Sequence, residues 1–132
     1  MRNLMFIWLC LFCVIPSQAR TITVDDDGPA DFNNIQAAID AAVHGDEVIC
    51  ADGTYTGPGN RDIDFLGKAI TVRSQSGPEN CVIDCGYRGG NWYIGISLKN
   101  GERSDSVIAG LTITGAYGAY GAAIACQGSS PV

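Results

Sequence analysis

The sequence predicts an all-β solenoid closed at its N-terminal end by one α-helix, and three observations predict it. A single stretch carries an apolar stripe at helical spacing. After it, short aliphatic or β-branched runs succeed one another, each bounded by Gly, Pro, Asn, Asp or Ser. No two-residue hairpin signal joins neighbouring runs, because Asn100-Gly101 is lengthened by Glu102-Arg103-Ser104-Asp105. A β-sandwich needs regular hairpins, whereas a solenoid needs short strands, sharp turns and a cap.

Residues 1–19 are set aside from the fold as a signal peptide. Met1-Arg2-Asn3 is short and positive, residues 4–15 are apolar and uncharged, and Ser17 and Ala19 supply the small residues that precede cleavage. The apolar run is shorter than the roughly 20 residues of a membrane span. Leu9 and Phe12 are too bulky for lipid attachment at Cys10 or Cys13. Cleavage after Ala19 would leave Arg20 first and residues 20–132 as the N-terminal part of the solenoid. The expected location is secreted, periplasmic or at the cell surface, with no transmembrane segment after cleavage.

The net charge is −6, and cleavage removes Arg2 but no acid, so the exported chain is more acidic still. An acidic chain repels phosphate backbones, which argues against nucleic acid as a partner. It also repels polyanions such as pectate unless cations intervene. Four cysteines survive cleavage: Cys50, Cys81, Cys85 and Cys126. Export permits disulfides, and the three possible pairings stay open. Cys81 and Cys85 end one strand, about 13 Å apart at ~3.3 Å per residue, too far for a direct bond.

Along the chain, Ile22-Thr23-Val24 reads as a strand and Asp25-Asp26-Asp27-Gly28-Pro29 as a turn. The three aspartates lack the spacing of a calcium loop and read as a solvated turn. Ile35, Ala38, Ile39 and Ala42 form the helical stripe; Asn33 is the expected N-cap, with Gln36 completing a capping box. Asp40 and Gln36 should face water. Gly45 suits the left-handed C′ position, and His44 falls in the last turn as a structural residue. Strands are then expected at 48–51, 62–65, 69–72, 81–84, 94–98, 107–109, 111–113 and 122–126.

These residues carry a resemblance. Asp31-Phe32, Ile35-Gln36, Ala38-Ile39-Asp40-Ala41-Ala42, Gly45-Asp46, Val48-Ile49 and Gly53-Thr54-Tyr55 follow the order of the N-terminal cap and first coil of the pectin-lyase-like superfamily. That resemblance implies a right-handed parallel β-helix. Pectin methylesterases begin similarly, as do uncharacterised bacterial surface proteins, whose repeated coil the run VIAGLTITGAYGAYGAAIACQGSSPV resembles. Two to three coils are expected. The chain stops at Ser129-Ser130-Pro131-Val132, where such a protein begins another strand, so a fold incomplete at its C-terminus is expected.

The fold does not give the function. Asp64-Phe65-Leu66-Gly67 superficially resembles an esterase pattern but sits in the first coil and lacks the second aromatic. The polygalacturonase and pectate lyase signatures are missing, as are a nucleophile elbow, a phosphate loop and a zinc helix. Asp62, Asp64, Asp84, Glu102 and Asp105 are carboxylates of the kind glycoside chemistry uses in pairs, but they read as turn or solvated residues. No catalytic, cofactor-binding or metal residue is therefore assigned. Tyr87, Trp92 and Tyr93 cluster in the Gly-rich run CGYRGGNWY, and aromatic faces stack on sugar rings. The expected function is a non-catalytic structural, adhesive or carbohydrate-associated scaffold, with polysaccharide or cell-envelope components as partners. The alternative is the start of a polysaccharide-acting enzyme whose catalytic residues lie beyond Val132.

Overall fold

Along the earlier strands buried residues alternate with less buried ones, and the buried aliphatic and aromatic side chains gather in one core. In chain order the elements are β1 (Thr21–Val24), α1 (Ile35–Ala41), β2 (Glu47–Cys50), β3 (Gly53–Thr56), β4 (Ile63–Asp64), β5 (Thr71–Ser74), β6 (Cys81–Asp84), β7 (Ile96–Leu98), β8 (Val107–Ala109), β9 (Thr112–Thr114) and β10 (Ile124–Cys126). The structure is a computed structural model that describes residues 18–119 and 123–132. The expected signal peptide lies almost wholly outside the described residues. Among those residues no helix is long and apolar enough to cross a membrane.

The strands stack in three parallel sheets, ordered β1-β2-β5-β8, β3-β6-β9 and β4-β7-β10. The chain visits the three faces in rotation, so this is a parallel β-solenoid of about four turns with a single short helix. That exceeds the two to three coils expected, because β1 already occupies the first sheet ahead of the helix. Register builds ladders of like side chains. Ile22, Val48, Val72 and Ile108 align on one face, Tyr55, Ile83 and Ile113 on the second, and Ile63, Ile96 and Ile124 on the third. The first and middle rungs are buried, whereas Ile124 on the last rung is 41% exposed.

The helix stripe is buried as expected, at Ile35, Ala38, Ile39 and Ala42. Its cap is Asn34, not Asn33: the Asn34 side chain accepts from the amide of Ala37 at 2.9 Å. The capping box is absent for a physical reason. The loop before β4 already satisfies the first-turn donors, through Asn60 Oδ1 on the Ile35 amide (3.0 Å) and Gly59 O on the Gln36 amide (2.9 Å). Gln36 is half-buried rather than solvated and its side chain turns to β4. Gly45 is left-handed, with φ +92°, but the helix has ended by Ala41. His44 therefore lies past the last turn, where Nδ1 accepts the amide of Ala69 at 3.0 Å.

Three further expectations are corrected. Gly53-Thr54-Tyr55-Thr56 is a strand where none was expected, because Tyr55 is drawn into the core with its hydroxyl 3.0 Å from the carbonyls of Val24 and Ala51. The strand expected at 69–72 is shifted to Thr71–Ser74, in register with Glu47–Cys50. Glu102, expected in a solvated turn, is 2% exposed. Its Oε1 accepts the amide of Gly67, and its Oε2 accepts the amide of Asn100 and the hydroxyl of Ser129.

The four cysteines are free thiols; Cys50, Cys81 and Cys85 are buried and Cys126 is exposed. The neighbouring Cys81 side chain, together with burial, pushes the Cys50 thiol well above its ordinary range. At the other end, Val132 lies along β8: its amide donates to Ser106 O (2.9 Å) and its carbonyl accepts from Ile108 (2.7 Å).

Candidate functional site

The long Gly-rich connection from β6 to β7 leaves the coil and folds back on its flank. Left-handed Gly86, Gly89 and Gly90 permit the excursion. Its return is fixed by Asp62, itself left-handed at φ 51°. The Asp62 amide donates to Ile94 O at 2.6 Å and Asp62 Oδ1 accepts the Ile94 amide at 2.9 Å. Gly95 follows without a side chain because a Cβ there would stand 2.5 Å from Ala123 O and 2.6 Å from Ile113 Cγ2.

A second loop, after β9, meets the first. The Tyr117 amide donates to Tyr93 O (2.8 Å) and the Tyr87 amide to Gly115 O (2.9 Å). These bonds bring three rings together. Tyr87 stacks on Tyr117 with centroids 4.7 Å apart and planes 24° apart, and Trp92 meets Tyr117 edge-on at 5.6 Å and 86°. All three stay open to solvent, Trp92 most of all at 62%.

Of the three aromatics expected to cluster, Tyr87 and Trp92 are joined through Tyr117, and the Tyr93 ring lies apart from them. Tyr93 is half-buried beneath the guanidinium of Arg61, 3.6 Å from its ring centroid, while Arg61 also donates to Cys85 O. Its place is taken by Tyr117, which sequence reasoning missed. The usable signal was the repeated Ala-Tyr-Gly of GAYGAYGA, which follows β9 as CGYRGGNWY follows β6, one coil earlier.

Trp92 and Tyr117 form one wall of a groove of about 410 Å³ over the β7–β10 face. Asp62, Ser97, Lys99 and Gln127 supply its polar groups. Beneath it Ala125 is the buried residue of β10. Lys99 Nζ pairs with Asp64 Oδ2 at 3.2 Å, and Asp64 Oδ1 accepts from the Leu66 amide and the Asn100 side chain. A groove with an aromatic wall and a floor of mixed donors and acceptors suits a polyhydroxylated ligand, whose C–H faces stack while its hydroxyls bond.

The other carboxylates lie elsewhere. Asp84 Oδ1 accepts the Gly86 amide, Glu102 is enclosed in its own corner, and Asp105 is exposed. The Asp25-Asp26-Asp27 carboxylates lie within 4.8 Å of one another. Asp25 Oδ1 there accepts the amides of Asp27 and Gly28, which explains it as a turn former. Comparison with protein-family models, curated proteins and solved structures finds no match for the chain.

Proposed function

We propose that this protein is an exported, non-catalytic scaffold of the pectin-lyase-like type that holds a neutral polysaccharide chain along its flank. The observation that carries the reading is the open cluster of Tyr87, Tyr117 and Trp92 beside a polar groove. Soluble proteins seldom leave three large rings clustered in solvent without a ligand to cover them. The negative net charge favours uncharged glycans over polyuronates. The carboxylates nearest the groove already serve the backbone, Asp62 on Ile94 and Asp64 on Leu66, which supports a holding role over hydrolysis.

Affinity electrophoresis of the exported protein through gels containing neutral polysaccharides tests this. Retardation by at least one neutral glycan, lost in Trp92→Ala and Tyr117→Ala, is the expected result. Equal mobility in every gel, or retardation unchanged by both substitutions, overturns the reading.

A further inference from the structure

At the expected cleavage point the exposed Arg20 side chain, 58% open to solvent, pairs with a buried carboxylate of the cap, Asp46. Asp46 is 2% exposed. Its Oδ1 accepts the backbone nitrogen of Arg20 at 2.9 Å, and its Oδ2 accepts the Val43 amide at 3.0 Å and Arg20 Nη2 at 3.1 Å. The Arg20 guanidinium also donates to Ala41 O at 2.8 Å, and Arg20 O accepts the Glu47 amide at 2.9 Å. Arg20 is thus clamped from both ends, while Gln18 and Ala19 before it are exposed. A carboxylate offers about four lone-pair positions, and three are used here, so Oδ1 retains acceptor capacity beside the Arg20 nitrogen.

We propose that Asp46 is the receptor for the new N-terminus: hydrolysis between Ala19 and Arg20 converts the amide already seated on Asp46 into an α-ammonium that ion-pairs with it. This rests on the exported reading above. The co-reactants are water and a signal peptidase. The Ala19 C–N bond breaks, hydroxide equivalent goes to the Ala19 carboxyl, and protons go to the Arg20 nitrogen. One N–H donor becomes three, with a full positive charge facing a carboxylate removed from solvent. Processing therefore tightens the join between β1 and the corner that follows α1, so the capped solenoid is completed only after export.

The consequence for the amine has a definite sign. An adjacent anion stabilises the ammonium and raises its titration midpoint above the ordinary α-amine range of about 7.7–8.0. A group raised on folding stabilises fully below its unfolded value and loses that stabilisation as pH rises through the folded one. The other charges facing this point are the Arg20 guanidinium, which opposes the effect, and Asp31, which adds to it, while the Glu47 carboxylate is paired with Arg73. Val43 and Arg20 donors hold the Asp46 carboxyl below its usual range, so it is ionised throughout.

The test uses the full chain produced with export and recovered after processing. N-terminal sequencing should give Arg20. Reductive ¹³C-methylation keeps the amine's charge and reports its titration by NMR; a midpoint about one pH unit or more above the ordinary range is expected, returning towards it in Asp46→Asn. Should that variant not fold, selective α-acetylation of the native protein removes the charge and should lower its melting temperature relative to the methylated form. An uncut chain overturns the processing and with it the exported reading, whereas cleavage that leaves another first residue overturns the docking alone. A first residue of Arg20 with an ordinary midpoint, or equal melting of the acetylated and methylated forms, overturns the docking alone and leaves the groove reading untouched.

Discussion

Gln36 of the capping helix binds the backbone of Asp64 in both directions, accepting from its amide at 2.8 Å and donating to its carbonyl at 3.0 Å. A side-chain amide here replaces the strand that β4 lacks on its outer side, since β4 ends its sheet. Phe32 does the same for β1: its amide donates to Thr23 O and its carbonyl accepts from Asp25, both at 3.1 Å. Unpaired sheet edges template association, so these contacts close the N-terminal end. Gln36→Leu leaves both Asp64 groups unpaired in a half-buried setting and should cost about 1–3 kcal/mol. Urea unfolding of the exported protein measures it; an unchanged midpoint would mean the helix does not seal β4.

The helix also seals the hydrophobic interior. Ile39 is fully buried against the first coil, whereas Asp40 is exposed. Ile39→Asp should destabilise by about 2–5 kcal/mol, the cost of burying an unpaired carboxylate after partial relief by protonation. Asp40→Ala should stay within about 0.5 kcal/mol. Equal shifts in denaturation midpoint for the two variants would refute the cap.

Much of this end was legible beforehand, because an amphipathic helix and alternating strands announce themselves through periodicity. What escaped the sequence was decided by contacts between distant residues. Asn34 rather than Asn33 caps the helix because Asn60, 25 residues from Ile35, takes the first amide. Glu102 is buried because Gly67 and Ser129, on neighbouring coils, both donate to it. In the groove, Trp92 was readable from its Gly-rich loop. Tyr117 could be found only by matching the loop after β9 with the loop one coil earlier, since nothing within either loop shows that the two will meet.

Glu102 should give the fold a pH signature. Burial pushes its acidity towards the neutral form, but hydrogen bonds from Ser129, its own amide, Gly67 and Asn100 together hold the carboxyl below its ordinary 4.5. A depressed group contributes fully above its unfolded value and loses the contribution as pH falls through the folded one. Glu102→Gln should therefore lower stability by about 1–3 kcal/mol at pH 7 and flatten the decline in stability on acidification below about pH 4.5. Parallel pH–stability curves for the two proteins would contradict this.

The far end is differently finished. Ile124 and Cys126 of β10 align with buried Ile96 and Leu98, yet both are exposed, and among the described residues no strand lies beyond β10 in its sheet. An open apolar edge bearing a free thiol should make the exported protein associate at micromolar concentration, in part through Cys126. Size-exclusion chromatography with light scattering should show this, with reductant or Cys126→Ser removing the covalent part. A clean monomer without reductant would show that the edge is covered.

The central claim, that the aromatic flank holds a neutral glycan, has a built-in reporter. Trp8 and Trp92 are the chain's two tryptophans, and the expected cleavage leaves Trp92 alone. Titrating the exported protein with the neutral oligosaccharide that best retards it should change Trp92 fluorescence saturably, and Tyr117→Ala should weaken the apparent affinity about 10-fold, the loss of one stacking surface worth roughly 1–1.5 kcal/mol. Emission that stays constant, or drifts linearly and identically in the two proteins, would contradict the account.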